Sequence, residues 1–176
     1  MDNVPGLDRL PAHRTLLERA VNHFRDDARV VGMIMGGSLA HGAVDFYSDE
    51  DLYIVARDES FDAVFDERDV AAVATGAPLF RFDVDPIPGG SRDYIVTYPG
   101  PIKLDLMYYR ESEIKPDQKW VGCPVLKDHS GSLVAVVSRS AGSSLPEPME
   151  LLVLRLRKDH AWRALGGARR NPHHKE

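Results

Sequence analysis

Asp49 and Asp51 stand one residue apart in residues 33–55, MIMGGSLAHGAVDFYSDEDLYIV. In extended chain, residues i and i+2 project to the same side. Two carboxylates so placed can grip one or two cations, while Glu50 between them points away. Just upstream, Gly36-Gly37-Ser38 forms a turn. Gly37 lets the backbone come close to a ligand. Ser38 offers a hydroxyl and could cap a short helix beginning at Leu39, whose N-terminus would suit an anion. A glycine turn that approaches phosphate, beside paired acids that hold a hard cation, is a proposal for phosphate chemistry. A third acid, Asp105, falls mid-strand in residues 102–109, IKLDLMYY. Alternation puts Ile102, Leu104, Leu106 and Tyr108 on one face of that strand, and Lys103, Asp105, Met107 and Tyr109 on the other. A carboxylate among apolar neighbours is costly unless it is paired or binds metal. The competing reading is a structural ion pair with an arginine such as Arg81.

The elements that must position these acids follow from hydrophobic period. Residues 8–27 read as a helix, with Leu16, Leu17, Ala20, Val21 and Phe24 on one stripe and Pro11 in the first turn. Residues 29–35 (RVVGMIM) are an almost continuous apolar run, the pattern of a strand buried on both faces. Residues 51–56 form the next strand. Phe61, Val64, Phe65 and Val73 make a second amphipathic helix that stops at Gly76. Residues 79–84, 94–98 and 102–109 read as an antiparallel meander, broken by Pro/Gly turns at 86–90 and 99–101. Residues 121–128 and 133–138 suggest one more strand pair. A Gly/Ser/Pro-rich linker at 141–148 leads to a last helix carrying Leu151, Leu154, Ala161, Trp162 and Leu165, and then a basic tail. The expected class is α/β (α+β): a mixed, twisted sheet of about five strands, flanked by helices on one side, with the carboxylates at one end. Residues 1–140 form the main domain, and 141–176 the linker, C-terminal helix and tail.

Composition narrows the functional classes. A net charge of −5, with no basic block before the tail, does not suit a partner held by phosphate neutralisation, so nucleic acid is not the expected ligand. The single cysteine, Cys123, allows neither an intramolecular disulfide nor a cysteine zinc site and fits a reducing cytoplasm. No apolar leader opens the sequence, and no run approaches the roughly 18 apolar residues of a membrane span.

The order Gly-Ser, ten residues, Asp-x-Asp, apolar strand, later mid-strand acid resembles the nucleotidyltransferase superfamily. That superfamily includes DNA polymerase beta, the antibiotic nucleotidyltransferases of aminoglycoside and lincosamide type, and the minimal nucleotidyltransferases of toxin–antitoxin pairs. The residues carrying the resemblance are Gly37, Ser38, Gly42, Ser48, Asp49, Asp51 and Leu52, and it spans roughly residues 29–109. The resemblance implies a nucleotidyltransferase fold and a magnesium-dependent transfer of AMP from ATP, or of another NMP from its NTP, to a hydroxyl, with release of pyrophosphate. It implies two Mg2+ ions held by Asp49, Asp51 and Asp105. Asp105 would be second-metal ligand, general base, or both. Gly37, Ser38, His41 and Ser48 would lie on the nucleotide side. His41 stands where many relatives carry arginine or lysine, so a phosphate-facing role and a surface role are equal alternatives.

Three functions share this sequence reading. The acceptor is a small hydroxylated molecule of the aminoglycoside or lincosamide type; or it is a partner protein or RNA end, as for antitoxin-like adenylyltransferases; or the chain is a nucleotide-binding module with impaired catalysis. Many antibiotic-type relatives carry a helical domain after the catalytic one, whereas one helix and a short tail follow Ser144 here. Either the substrate is held differently, a homodimer or partner protein supplies the missing wall, or the chain is a shortened relative with impaired activity. Asp45 reads as a polar loop residue, Asp83 and Asp85 as the wet face of an edge strand, and Tyr108, Tyr109 and Trp120 as packing rather than as a stacking platform.

Overall fold

A computed structural model describes residues 7–41, 48–85, 90–100 and 102–141. The expectations for Gly42, Asp45, the turn at 86–89, and the linker, helix and tail beyond 141 lie outside the described residues. All described elements belong to one compact unit, Met1–Ser144.

Helix α1 (Pro11–Arg25) starts on its proline, whose missing N–H costs nothing in a first turn. Leu16, Leu17, Ala20, Val21 and Phe24 are buried on one stripe as expected, and His13 joins them. Strand β1 (Val30–Gly36) is buried at all seven positions, which is what a continuous apolar run in mid-sheet requires. It is followed by a one-turn helix α2 (Gly37–Ala40) and by β2 (Glu50–Ala56). Helices α3 (Phe61–Asp66) and α4 (Arg68–Thr75) come next, then β3 (Phe80–Asp83), β4 (Arg92–Tyr98), β5 (Ile102–Arg110), β6 (Val125–Asp128) and α5 (Ser132–Ser140).

The described strands form one six-stranded sheet, ordered β3-β4-β5-β2-β1-β6, one strand more than the sequence suggests. Five strands come from the expected segments 29–35, 51–56, 79–84, 94–98 and 102–109; the sixth, β6, comes from the first half of the strand pair expected at 121–128 and 133–138 and pairs antiparallel with β1. Every neighbouring pair is antiparallel except β2–β5, which is parallel. The protein is therefore a mixed α/β structure on a mixed sheet.

Alternation divides the core. Met33, Met35, Leu52, Ile54, Leu104, Leu106 and Tyr108 face α1, α3 and α4. Ile34, Val55 and Tyr109 face Trp120, Cys123 and the Leu133 and Val136 of α5. Helices thus cover both faces, not one. The cause is α5, because residues 133–138 are helical rather than a strand. Their β-branched content suits a strand, but Leu133 and Val136 bury at helical spacing. The Asp128 carboxylate accepts the Ser130 and Val134 amides at the helix start (3.3 and 2.9 Å).

The helix expected across 61–76 is two helices meeting at Glu67. The second turns alanines inward, with Ala71 and Ala72 buried, and leaves Val73 58 % exposed. Strand β3 is an edge strand whose Asp83 pairs with Arg68 (2.6 Å). Among the described residues, no helix is long and apolar enough to cross a membrane.

Candidate active site

The parallel pairing of β2 with β5 sets Asp51 directly beside Asp105, with Tyr53 beside Met107 one step further on. Both carboxylates lie on the Trp120 side of the sheet, on strands about 4.8 Å apart. On the far side of β2, Asp51 is the register partner of Gly36. The chain leaves β1 through Gly37 at φ +64°, a conformation that L side chains avoid. A Cβ on Gly37 would collide with Asp51 Oδ2. The glycine turn and the first of these acids are therefore in direct contact, and glycine is needed for both the backbone angle and the space. Gly37→Ala is expected to cost about 1–2 kcal/mol in urea unfolding from backbone strain alone, and also to displace the Asp51 carboxylate. Unchanged stability would contradict this account.

Asp49, one residue before β2, is half exposed. Its Oδ2 lies 2.7 Å from the ammonium of Lys103, which also reaches Asp105 Oδ1 at 3.4 Å. Lys103 precedes Asp105 by two residues on β5, so alternation gives them a common face. Its side chain is 14 % exposed and that of Asp105 only 1 %. Arg81 pairs with Asp69 (2.9 Å), and the cation seen beside Asp105 is a lysine rather than that arginine. Lys103 thus places a positive charge between Asp49 and Asp105.

Among the described residues, no three His, Cys, Asp or Glu side chains are drawn together closely enough to hold a metal by themselves. The donor set nonetheless suits one. Asp49, Asp51 and Asp105 are hard oxygen ligands on adjacent chain segments, and two of them already share a cation in the form of Lys103. Magnesium accepts a few carboxylates and keeps its remaining positions for water or substrate phosphate.

Ser38 lies inside α2 rather than capping it; the cap is Gly36. An extended Gly36 followed by left-handed Gly37 starts the turn two residues earlier than a serine cap would. Ser38 itself is half buried, and its carbonyl accepts the His41 amide (3.2 Å). His41 is exposed, with its ring against Gly122, on the β6 side of the turn. Ser48 is half buried at the approach to Asp49.

The aromatic residues are packing. Trp120 is buried and donates its indole N–H to the Lys115 carbonyl (2.9 Å); Tyr108 is buried on the opposite face of the sheet. Tyr53 packs edge-on against Trp120 (4.5 Å between centroids). Burial, then the charge of Asp51, holds the Tyr53 hydroxyl well above its usual range. The same two causes push the Cys123 thiol up to about 11 from an ordinary 9.0. Two pK units reduce the thiolate fraction at neutral pH about 100-fold. A thiol reagent should therefore label the native protein at least that much more slowly than the urea-unfolded chain. Comparable rates would show that Cys123 is accessible.

Three further residues, Glu50, His13 and Lys103, were not singled out as site residues by sequence reasoning. Glu50 does point away from its acidic neighbours, but into the core. There it meets His13 of α1 at 3.1 Å, both side chains being nearly inaccessible (0 and 2 %). Burial raises the Glu50 carboxyl above its ordinary range and His13 opposes that rise. The signal was present in two places: a histidine on the apolar stripe of α1, and a third acid forced inward by the alternation that aims Asp49 and Asp51 outward. Lys103 was likewise visible as the face-mate of Asp105, though not as its ion partner.

No known protein family and no curated protein matches this chain.

Proposed function

We propose that this chain is a magnesium-dependent nucleotidyltransferase that moves AMP from ATP, or another NMP from its NTP, to a hydroxyl group, and that its sheet is a nucleotidyltransferase fold. The observation that carries the reading is the parallel register of β2 and β5. It sets Asp51 beside Asp105 and against the Gly37 turn, on one face of the sheet. Nucleotidyl transfer needs charge neutralisation and in-line positioning more than covalent help from the protein.

The acceptor oxygen attacks the α-phosphorus, the bond from that phosphorus to the bridging oxygen breaks, and pyrophosphate leaves. Asp49, Asp51 and Asp105 would hold magnesium, which when bound neutralises phosphate charge and acidifies the attacking hydroxyl. Asp105, walled from water, is suited to take the hydroxyl proton or to hold the cation beside it. Gly37 and Ser38 would approach the triphosphate, since Gly37 keeps the turn open against Asp51. The proposed acceptor, a small hydroxylated molecule of the aminoglycoside or lincosamide type, rests on the sequence resemblance and on the long stretch between Asp51 and Asp105, which could form a substrate wall.

The test is pyrophosphate release from ATP and magnesium across a panel of hydroxylated acceptors, with Asp51→Asn as control. Release that disappears in the variant supports the reading. Label appearing on a macromolecule instead moves the acceptor to a protein or RNA. Binding of magnesium and nucleotide without turnover identifies a catalytically impaired module, and no binding of either removes the reading altogether.

A further inference from the structure

Resting on that proposal, we infer that Lys103 is a built-in counter-ion that occupies the metal position between Asp49 and Asp105 until magnesium displaces it, and that its displaced ammonium then serves the nucleotide phosphates. Asp51 and Asp105 are register neighbours at one end of the β2–β5 seam, Lys103 links Asp105 to Asp49, and Asp93 of β4 lies on the same face opposite Met107. Like charges so close repel unless a cation stands among them. Lys103 is that cation, at 2.7 Å from Asp49 and 3.4 Å from Asp105, on a stem whose side chain is 14 % exposed.

A dication entering between these carboxylates meets the ammonium at close range, and the two cannot share the position. The lysine stem is flexible and its head is a mobile point charge, so it is the partner that moves. Metal alone must work against the lysine. Metal with a triphosphate does not, because phosphate oxygens give the ammonium a new partner. Metal and nucleotide binding are thereby coupled, and by linkage each raises the affinity of the other.

Manganese titration, read by electron paramagnetic resonance with and without ATP, tests this on wild type, Lys103→Met and Lys103→Arg. Without nucleotide, Lys103→Met should bind manganese about tenfold more tightly than wild type, and it should lose most of the gain that ATP gives wild type. Lys103→Arg, which keeps the charge, should behave like wild type. A second readout uses the unaltered protein. Acetylation of Lys103, followed by mass spectrometry, should speed up on adding magnesium and slow again on adding ATP.

Equal or weaker manganese binding by folded Lys103→Met, or acetylation indifferent to magnesium, overturns the inference. If wild type binds manganese and ATP but Lys103→Met changes nothing, the inference alone fails. If wild type binds neither, the nucleotidyltransferase reading fails with it.

Discussion

On the proposed function, Asp105→Asn is expected to lower nucleotidyl transfer on the order of 10²–10⁴-fold while leaving the fold intact or slightly more stable. The activity loss corresponds to several kcal/mol of charge stabilisation removed from the transition state. The stability follows from burial. Asp105 has a 1 % exposed side chain and shares Lys103 with a better-placed partner, Asp49. Asparagine keeps the shape and hydrogen-bonding capacity and removes one desolvated charge from a crowded acidic face. Steady-state kinetics and thermal unfolding on the same preparation check both halves. Activity within a few-fold of wild type would remove Asp105 from the chemistry and leave it a structural carboxylate. A collapse of stability together with activity would mean that the Lys103 pairing holds the sheet.

His13→Leu should be the most damaging single change away from the acidic face, at about 3–5 kcal/mol, because it leaves Glu50 ionisable in the core without its partner. Against the 5–15 kcal/mol typical of a domain, that is a lowering of Tm by roughly 6–20 °C. The deficit depends on pH. Burial raises the folded-state carboxyl of Glu50 above its ordinary 4.5, and without His13 nothing opposes that rise. The folded state then holds the proton more tightly than the unfolded one. Stability is therefore retained below 4.5 and lost as pH rises through the folded-state value. The double variant His13→Leu, Glu50→Leu should recover most of the loss at neutral pH. A single-variant deficit that does not change between pH 4 and pH 8 would show that Glu50 is not the cause. The pair also matters for the site. It anchors the first residue of β2 inward, and a one-residue slip of that strand would turn Asp49 and Asp51 into the core.

Hydrophobic pattern made α1, β1, β2 and β5 readable from sequence, because α1, β2 and β5 bury regular stripes and β1 is a short, continuous apolar run buried on both faces. The faces of β5 were equally readable, and with them the side on which Asp105 lies. Residues 133–138 were not, since Leu-Val-Ala-Val-Val suits a strand. The deciding interaction is the Asp128 carboxylate on the Ser130 and Val134 amides, which starts a helix instead. The break at Glu67 is hidden because alanine carries so little hydrophobic signal that Ala71 and Ala72 do not announce the inward face. Lys103 with Asp49, and His13 with Glu50, join segments far apart in the chain. Their residue types were visible, but no local pattern says which of many charged side chains will meet. The same limit applies to which neighbour β5 takes on its second side, the choice that brings Asp105 to Asp51.

The lone parallel pairing has a consequence for how the chain folds. From the end of β2 at Ala56, the polypeptide must pass through two helices and two strands before β5 begins at Ile102. The meander β3–β4–β5 and the β1–β2 pair can each close from nearer partners, whereas the β2–β5 seam must join the two halves across a long detour, exceeded among the described strand pairs by the closure of β6 onto β1. Closure of such long loops is entropically costly and tends to come late. The acidic pair is then absent from any intermediate that has formed both halves but not joined them. A cation bridging Asp51 and Asp105 would pin a late-forming seam, so ligand occupancy would report that the two halves have joined and slow their parting.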